Sequence, residues 1–272
     1  MLIFPNAKIN IGLNVTERRA DGYHNIETVF YPIALCDILE VVPSAKTAAY
    51  TFHASGIAID GDVEKNLITK AFRLLERDFD MPPVEVFLEK VIPFGAGLGG
   101  GSSDASFMLK MLNESFDLQL SAAQLEGYAA HLGADCPFFV RNRAVFANGT
   151  GNVFHDINFS LKGYSLALVK PRVQVSTKDA YAGISPRKPR YDLRETIENK
   201  PIAEWRNIVE NDFEKTVFER FPEIERIKNE LYEQGALYAA MSGSGAAVFG
   251  IFKYGSDAAA AFPECFVWEN RL

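Results

Sequence analysis

The sequence predicts a mixed α/β protein, and three observations predict it. Runs that alternate with period two, runs with apolar residues at helical spacing, and a glycine-dense stretch between one of each follow one another along 272 residues. A composition of 48% hydrophobic and 23% charged residues is ordinary for a globular chain and leaves room for one large domain or two modest ones. A soft boundary near 150 to 160 divides the chain into domains 1–155 and 156–272.

Residues 7–15 form the first element. Ile9, Ile11, Leu13 and Val15 alternate with Lys8, Asn10, Gly12 and Asn14, the mark of a strand with one buried face. Lys8 and Asn10 therefore share the other face, which is either solvated or the floor of a site; periodicity does not choose. Residues 28–35, 38–42 and 49–53 read as further strands. From 67 to 79, apolar residues stand at 67, 68, 71, 72, 75 and 79, the spacing of an amphipathic helix. Residues 84–92 read as a strand stopped by Pro93. The stretch PFGAGLGGGSSDA (93–105) follows, and Ala105, Met108, Leu109 and Leu112 open a helix with Ser102, Ser103 or Asp104 as its N-cap. Ser121 and Gln124 have capping-box spacing, and the helix they open, with Leu125, Tyr128, Ala129 and Leu132 on one side, ends at Gly133. Asp135 lies just past that end. Beyond it come a strand at 164–169, an irregular basic stretch at 187–190, and a helix started by Pro222 with Ile224, Ile227 and Leu231 inward until Gly235. Strand-like residues 237–240, the smaller glycine loop MSGSGAAVFG (241–250) and a strand over 247–252 complete the series.

A net charge of −7 and a pI near 5.3 make the molecule repel phosphate backbones and anionic lipid, which argues against nucleic-acid and membrane partners. The three cysteines form no CxxC pair and the four histidines no metal-ligand spacing, so disulfides and structural zinc are not expected. The first residues, broken by Pro5 and Lys8, read as a strand and not as a secretory leader. A cytoplasmic protein acting on a small molecule is the expectation, with monomer and homodimer both open.

Five glycines within seven positions (95–101) cost backbone entropy that is tolerated only where amides crowd together or approach something closely. A glycine turn feeding a helix N-terminus suits a phosphate. The Walker loop is excluded, because no lysine occurs from Gly95 through Ser103. Gly95, Gly97 and Gly100 do match the dinucleotide fingerprint, yet residues 117–120 lead into another capped helix where that fold needs a strand ending in an acid. A phosphate loop without its own lysine needs a cation from elsewhere, and Lys8 is the earliest candidate. Transfer to a hydroxyl also wants a carboxylate to accept its proton. Asp135, among apolar neighbours, is a candidate, with a simple turn cap as the alternative.

Together AKINIGL (7–13), PFGAGLGGGSSDA, GADCPFF (133–139) and MSGSGAAVFG resemble the GHMP kinase superfamily of small-molecule kinases, in order and over nearly the whole chain. RRADGYHNIETVF (18–30) narrows the resemblance to the branch that phosphorylates a cytidine diphosphate-linked methylerythritol on the non-mevalonate route to isoprenoid precursors. The resemblance implies ATP and Mg2+, a first domain with a left-handed βαβ crossover, against the usual hand, and a ferredoxin-like second domain. It implies Asp135 as the base, Lys8 as the cation that keeps it ionised and stabilises the transferring phosphoryl group, and Asn10 as a residue that helps orient the base or the hydroxyl. Pro93, Gly95, Gly97, Leu98, Gly99, Gly100, Gly101, Ser102 and Ser103 would form the ATP phosphate loop, with a serine hydroxyl on magnesium, whose other ligands no spacing marks out. Asn66 and Lys90 would border the adenine, against a helix cap and a solvated strand charge as their alternatives. Tyr23 would stack on the cytosine, His24 bond its edge, Tyr181 supply the opposite face, Thr177 contact phosphate or sugar, and Gly243, Ser244 and Gly245 line the site. Two departures stand out: Asp104, an acid beside a triphosphate where relatives often carry a neutral residue, and Cys136 in place of a common valine. The rivals are a kinase for another alcohol, such as mevalonate or homoserine, and a silent nucleotide-binding module.

Overall fold

In the computed structural model, which describes residues 1–45 and 48–272, strands and helices alternate much as the periodicities require. A short β1 (Leu2–Ile3) precedes β2 (Asn6–Arg18), β3 (His24–Cys36), β4 (Ile38–Pro43) and β5 (Tyr50–Gly56). Asn66 then caps α1 (Leu67–Glu76), whose Ile68, Ala71, Phe72 and Leu75 are buried as their spacing predicts. β6 (Val84–Lys90) leads to the glycine stretch, and α2 (Gly100–Ser115) starts inside it. Ser121 and Gln124 close the expected capping box on α3 (Ala122–Leu132), and α4 (Cys136–Arg141) follows with proline in its first turn.

The second half of the chain adds β7 (Val145–Asn148), β8 (Val153–Asp156), β9 (Ser165–Lys170), α5 (Thr177–Ala182), α6 (Leu193–Asn199), α7 (Phe213–Arg220) and α8 (Pro222–Glu233). It ends with β10 (Tyr238–Met241), β11 (Val248–Phe252), α9 (Ala258–Ala261) and β12 (Phe266–Arg271). One boundary departs from expectation. None of Ser102, Ser103 and Asp104 is the N-cap of α2, because the helix begins at Gly100 behind Gly99, and burial of the segment from Ser103 to Leu109 outweighs the poor helix propensity of glycine.

The chain divides into two compact units that are not two consecutive stretches. One comprises Met1–Ala7, Ala34–Phe94 and Gly99–Arg143; the other comprises Lys8–Ile33, Gly95–Leu98 and Ala144–Leu272. Lys8–Ile33 and Gly95–Leu98 thus group with Ala144–Leu272, and within that unit Thr28, Val29 and Phe30 of β3 pair with Ala147, Phe146 and Val145 of β7.

In the first unit the sheet order is β1-β4-β6-β5, with β5 and β6 parallel and joined through α1 as a βαβ unit. Strand β6 buries Val84, Val86, Leu88 and Lys90 on one face, and Phe72, Leu75, Met108 and Leu112 pack in the same core as its three apolar residues. Each large apolar side chain so buried contributes about 1.5–3 kcal/mol.

In the second unit β2-β3-β7-β8 forms one sheet and β10-β11-β9-β12 another. The latter is antiparallel throughout, with helices between β9 and β10 and again between β11 and β12. That is the ferredoxin-like order. Ile224, Ile227 and Leu231 of α8 share a core with Val169, Ala239 and Val248 of this sheet.

Candidate active site

In the second unit, the start of the glycine stretch is clamped by β2 and by the loop after β10. Lys8 N donates to Leu98 O at 3.0 Å, while Ala246 N and Ala247 N donate to Gly95 O and Ala96 O at 3.1 and 3.3 Å. The Ser242 hydroxyl donates to Gly97 O at 2.9 Å and accepts from Asn10 N at 3.2 Å. Gly97 has a φ of 72°, and a Cβ there would stand 1.9 Å from Ser242 O, so this approach admits glycine alone. The two glycine loops of the sequence thus meet, with Gly243 against Gly97.

In the first unit, Gly99, at φ 70°, caps α2 without a side-chain bond. The amides of Gly100, Gly101 and Ser102 then lie in a first turn that has no helical acceptors, at the positive end of the helix dipole. Gly100 is a further close approach, since a Cβ would meet Ile92 Cγ2 at 2.9 Å and Lys90 Nζ at 3.0 Å. Ser103 is turned inward. Its amide donates to Gly99 O at 2.8 Å, and its hydroxyl is buried without a hydrogen-bond partner. Leu98 is buried and Pro93 half-buried. Backbone with no room for side chains, next to an uncapped first turn, fits a nucleotide's phosphates.

Lys90 is neither a solvated charge nor a free cation for a ligand. It is 2% exposed, its ammonium bonds Asp104 Oδ2 at 2.8 Å and Asp37 Oδ2, and its carbonyl accepts from Ile57 N. The same contacts answer the question of Asp104, which turns into the core toward Lys90. Burial pushes its carboxyl up to about 8; Lys90 pulls against that and Asp37 adds to it. Asn66 caps α1 through a bond from Ile68 N at 2.9 Å, and with Phe52, Ala54 and Ile59 it lines a pocket of about 380 Å³.

On β2, Lys8 and Asn10 are 3% and 2% exposed, so their shared face is not solvated. Lys8 Nζ donates to Asn10 Oδ1 at 2.5 Å and lies 4.9 Å from the centre of the Phe30 ring. Asn10 Nδ2 donates to the Thr28 hydroxyl at 3.0 Å, which donates to Gly12 O at 2.6 Å. Thr28 and Ser242, which hold Asn10 from two sides, are the site residues sequence reasoning missed. A polar Thr28 spaced by two from buried Ile26 and Phe30 was the available signal. Asp135 stands at the N-cap position of α4 with φ −81°, half-buried, and its side chain makes no capping bond to that helix.

The structure brings His24 and Tyr181 together, with rings stacked at 4.8 Å and 20°. Tyr181 is braced edge-on by Phe213 at 4.7 Å. Tyr23 remains outside this stack, 67% exposed, on a turn closed by Arg19 and Asp21 at 2.9 Å. The Thr177 and Ser244 hydroxyls meet at 3.1 Å. Among the described residues no group of three His, Cys, Asp or Glu side chains is placed to hold a metal ion.

A 4-diphosphocytidyl-2-C-methyl-D-erythritol kinase of Bacteroides fragilis is 57% identical over 253 residues, 93% of this chain and 92% of the relative. That of Parabacteroides distasonis is 53% identical over 274 residues and the whole of both chains. The model of the GHMP kinases N terminal domain matches residues 66–143, and that of the GHMP kinases C terminal matches 193–265. The chain belongs to the GHMP kinase family. A crystal structure of 4-(cytidine 5'-diphospho)-2C-methyl-D-erythritol kinase superposes with a TM-score of 0.81 at 30% identity, over 99% of this chain and 98% of that one. The first matched segment of this GHMP kinase runs from the Asn66 cap through the glycine stretch to α4, and the second takes in residues 241–250. Lys8, Asn10, Tyr23 and His24 lie outside both.

Proposed function

We propose that this chain transfers the γ-phosphoryl group of ATP to the 2-hydroxyl of 4-diphosphocytidyl-2-C-methyl-D-erythritol. The observation that carries this reading is the identity of 53–57% with relatives of that name over nearly the whole chain. When bound, ATP supplies the phosphoryl group and Mg2+ the counter-charge to its phosphates.

The chain's own residues do the rest by positioning and electrostatics. The amides of Gly100, Gly101 and Ser102 at the start of α2 hold phosphate oxygens, with a serine hydroxyl, that of half-buried Ser102 or buried Ser103, for the metal. Asp135 accepts the proton of the acceptor hydroxyl. Lys8, held by Asn10 in a desolvated setting, stabilises negative charge on the group in transfer. The pocket at Asn66 takes the adenine, and His24, Tyr181 and Tyr23 take the cytosine, which requires the base to enter beside or between rings that now stack on each other. Thr177 and Ser244 offer paired hydroxyls to the diphosphate or sugar. No helix among the described residues is long and apolar enough to cross a membrane, and we place the enzyme in the cytoplasm.

The test is ADP release by purified protein with ATP and Mg2+, comparing the cytidine compound with mevalonate, homoserine and no acceptor. Stimulation by the cytidine compound alone is the expected outcome. Activity on another alcohol instead would discard the cytosine site, and ATP binding without turnover on any acceptor would discard the kinase.

A further inference from the structure

Lys90, Asp37 and Asp104 are buried where phosphoryl transfer as described gives them nothing to do. Asp37, in the corner between β3 and β4, is 0% exposed. Its Oδ1 accepts from Val91 N at 2.6 Å and Ile92 N at 2.8 Å, the last two residues before Pro93, and its Oδ2 takes the Lys90 ammonium. Lys90 ends β6 and bonds Asp104 Oδ2, one turn inside α2, at 2.8 Å. Its Nζ also lies 3.0 Å from where a Gly100 Cβ would be. Three side chains therefore tie together the strand that enters the glycine stretch and the helix that leaves it.

Stability alone is a poor reason for such a cluster. Desolvating an ammonium and two carboxyl groups is costly, and well-packed apolar residues of similar volume are often as stable or more so. What an apolar cluster cannot do is hold two specific backbone amides and a helix turn at fixed separation.

We propose that Asp37, Lys90 and Asp104 are positioning residues for the nucleotide phosphates, setting the exit of β6 and the first turn of α2 at the spacing that phosphate binding needs. In this role they act through the loop. The proposal rests on the nucleotide-binding reading above.

Equilibrium binding of ATP with Mg2+, initial rates against ATP, and thermal unfolding test it in Asp37→Ala, Asp37→Asn, Lys90→Met and the double variant Lys90→Met with Asp104→Asn. Asp37→Ala removes the acceptor of both amides and raises Kd and KM for ATP about tenfold or more, with kcat changed less. Asp37→Asn keeps an oxygen for those amides and recovers most of that affinity. Lys90→Met leaves two carboxyl groups facing each other and weakens ATP binding likewise, and the added Asp104→Asn restores part of it. Folded variants that bind ATP as the wild type does would overturn the proposal, as would losses that follow melting temperature alone with no recovery in Asp37→Asn. The Asp37 pair decides even if Lys90→Met does not fold. A wild-type protein that binds no ATP sinks the kinase reading first, and is recognised before any variant is compared.

Discussion

Gly97 and Asp135 make opposite demands on their surroundings, one for space and one for charge. With φ at 72° and no room for a Cβ beside Ser242 O, Gly97→Ala is expected to lose about 2 kcal/mol or more of stability, read as a lowered urea midpoint or as failure to accumulate folded protein. Asp135 can be replaced without steric penalty. Asp135→Asn should keep ATP affinity in a binding titration while ADP release with the cytidine acceptor falls by about 10²-fold or more. Unchanged turnover would remove Asp135 from its role as base. The Asn10 side chain is held by Thr28 and its backbone N–H by Ser242, pairings between separate elements that a local pattern marks only as far as the inward position of Thr28.

At the scale of elements, helix starts decide much of what this molecule presents. α3 is closed at its N-terminus by the reciprocal Ser121 and Gln124 bonds, whereas α2 is left open behind Gly99. The first is a stability device, and the second is the start that the proposed function assigns to phosphate binding. Ser121→Ala should therefore cost about 1 kcal/mol, seen as a fall of about 2–4 °C in melting temperature, with ADP release per folded molecule unchanged. A loss of ATP affinity in that variant would mean that α3 does more than pack. Strand β6 was legible in a finer way than expected, because Lys90 continues the series Val84, Val86 and Leu88 at period two and so belongs on the buried face. A lysine at the inward end of such a series predicts a buried acid, and Asp37 and Asp104 are the acids it meets.

For the molecule as a whole, buried acids set how stability responds to pH. Burial, with Asp37 beside it, raises the Asp104 carboxyl to about 8, and Glu214 is raised as well by burial in spite of Lys228. The folded state thus retains protons that the unfolded chain has released, so stability present at low pH is lost as pH rises through the raised value. The urea midpoint is expected to fall from about pH 5 to about pH 8, with a shallower slope in Asp104→Asn. An identical slope would assign the titration to other groups. By itself the sequence determined the strands and helices with strong periodicity, the α3 cap, the glycine-dense turn into α2 and the family, because period, capping chemistry and glycine density act within a few residues. Only the tertiary structure decided that α2 begins at Gly100, that Ser103 faces inward and that Lys90 is spent on two acids. The same holds for the stacking of His24 on Tyr181 and for the passage of β2 and β3 out of the first compact unit. Each of these depends on which distant residue arrives to share a buried space, and burial, close approach and desolvation are set by that neighbour and not by the local run.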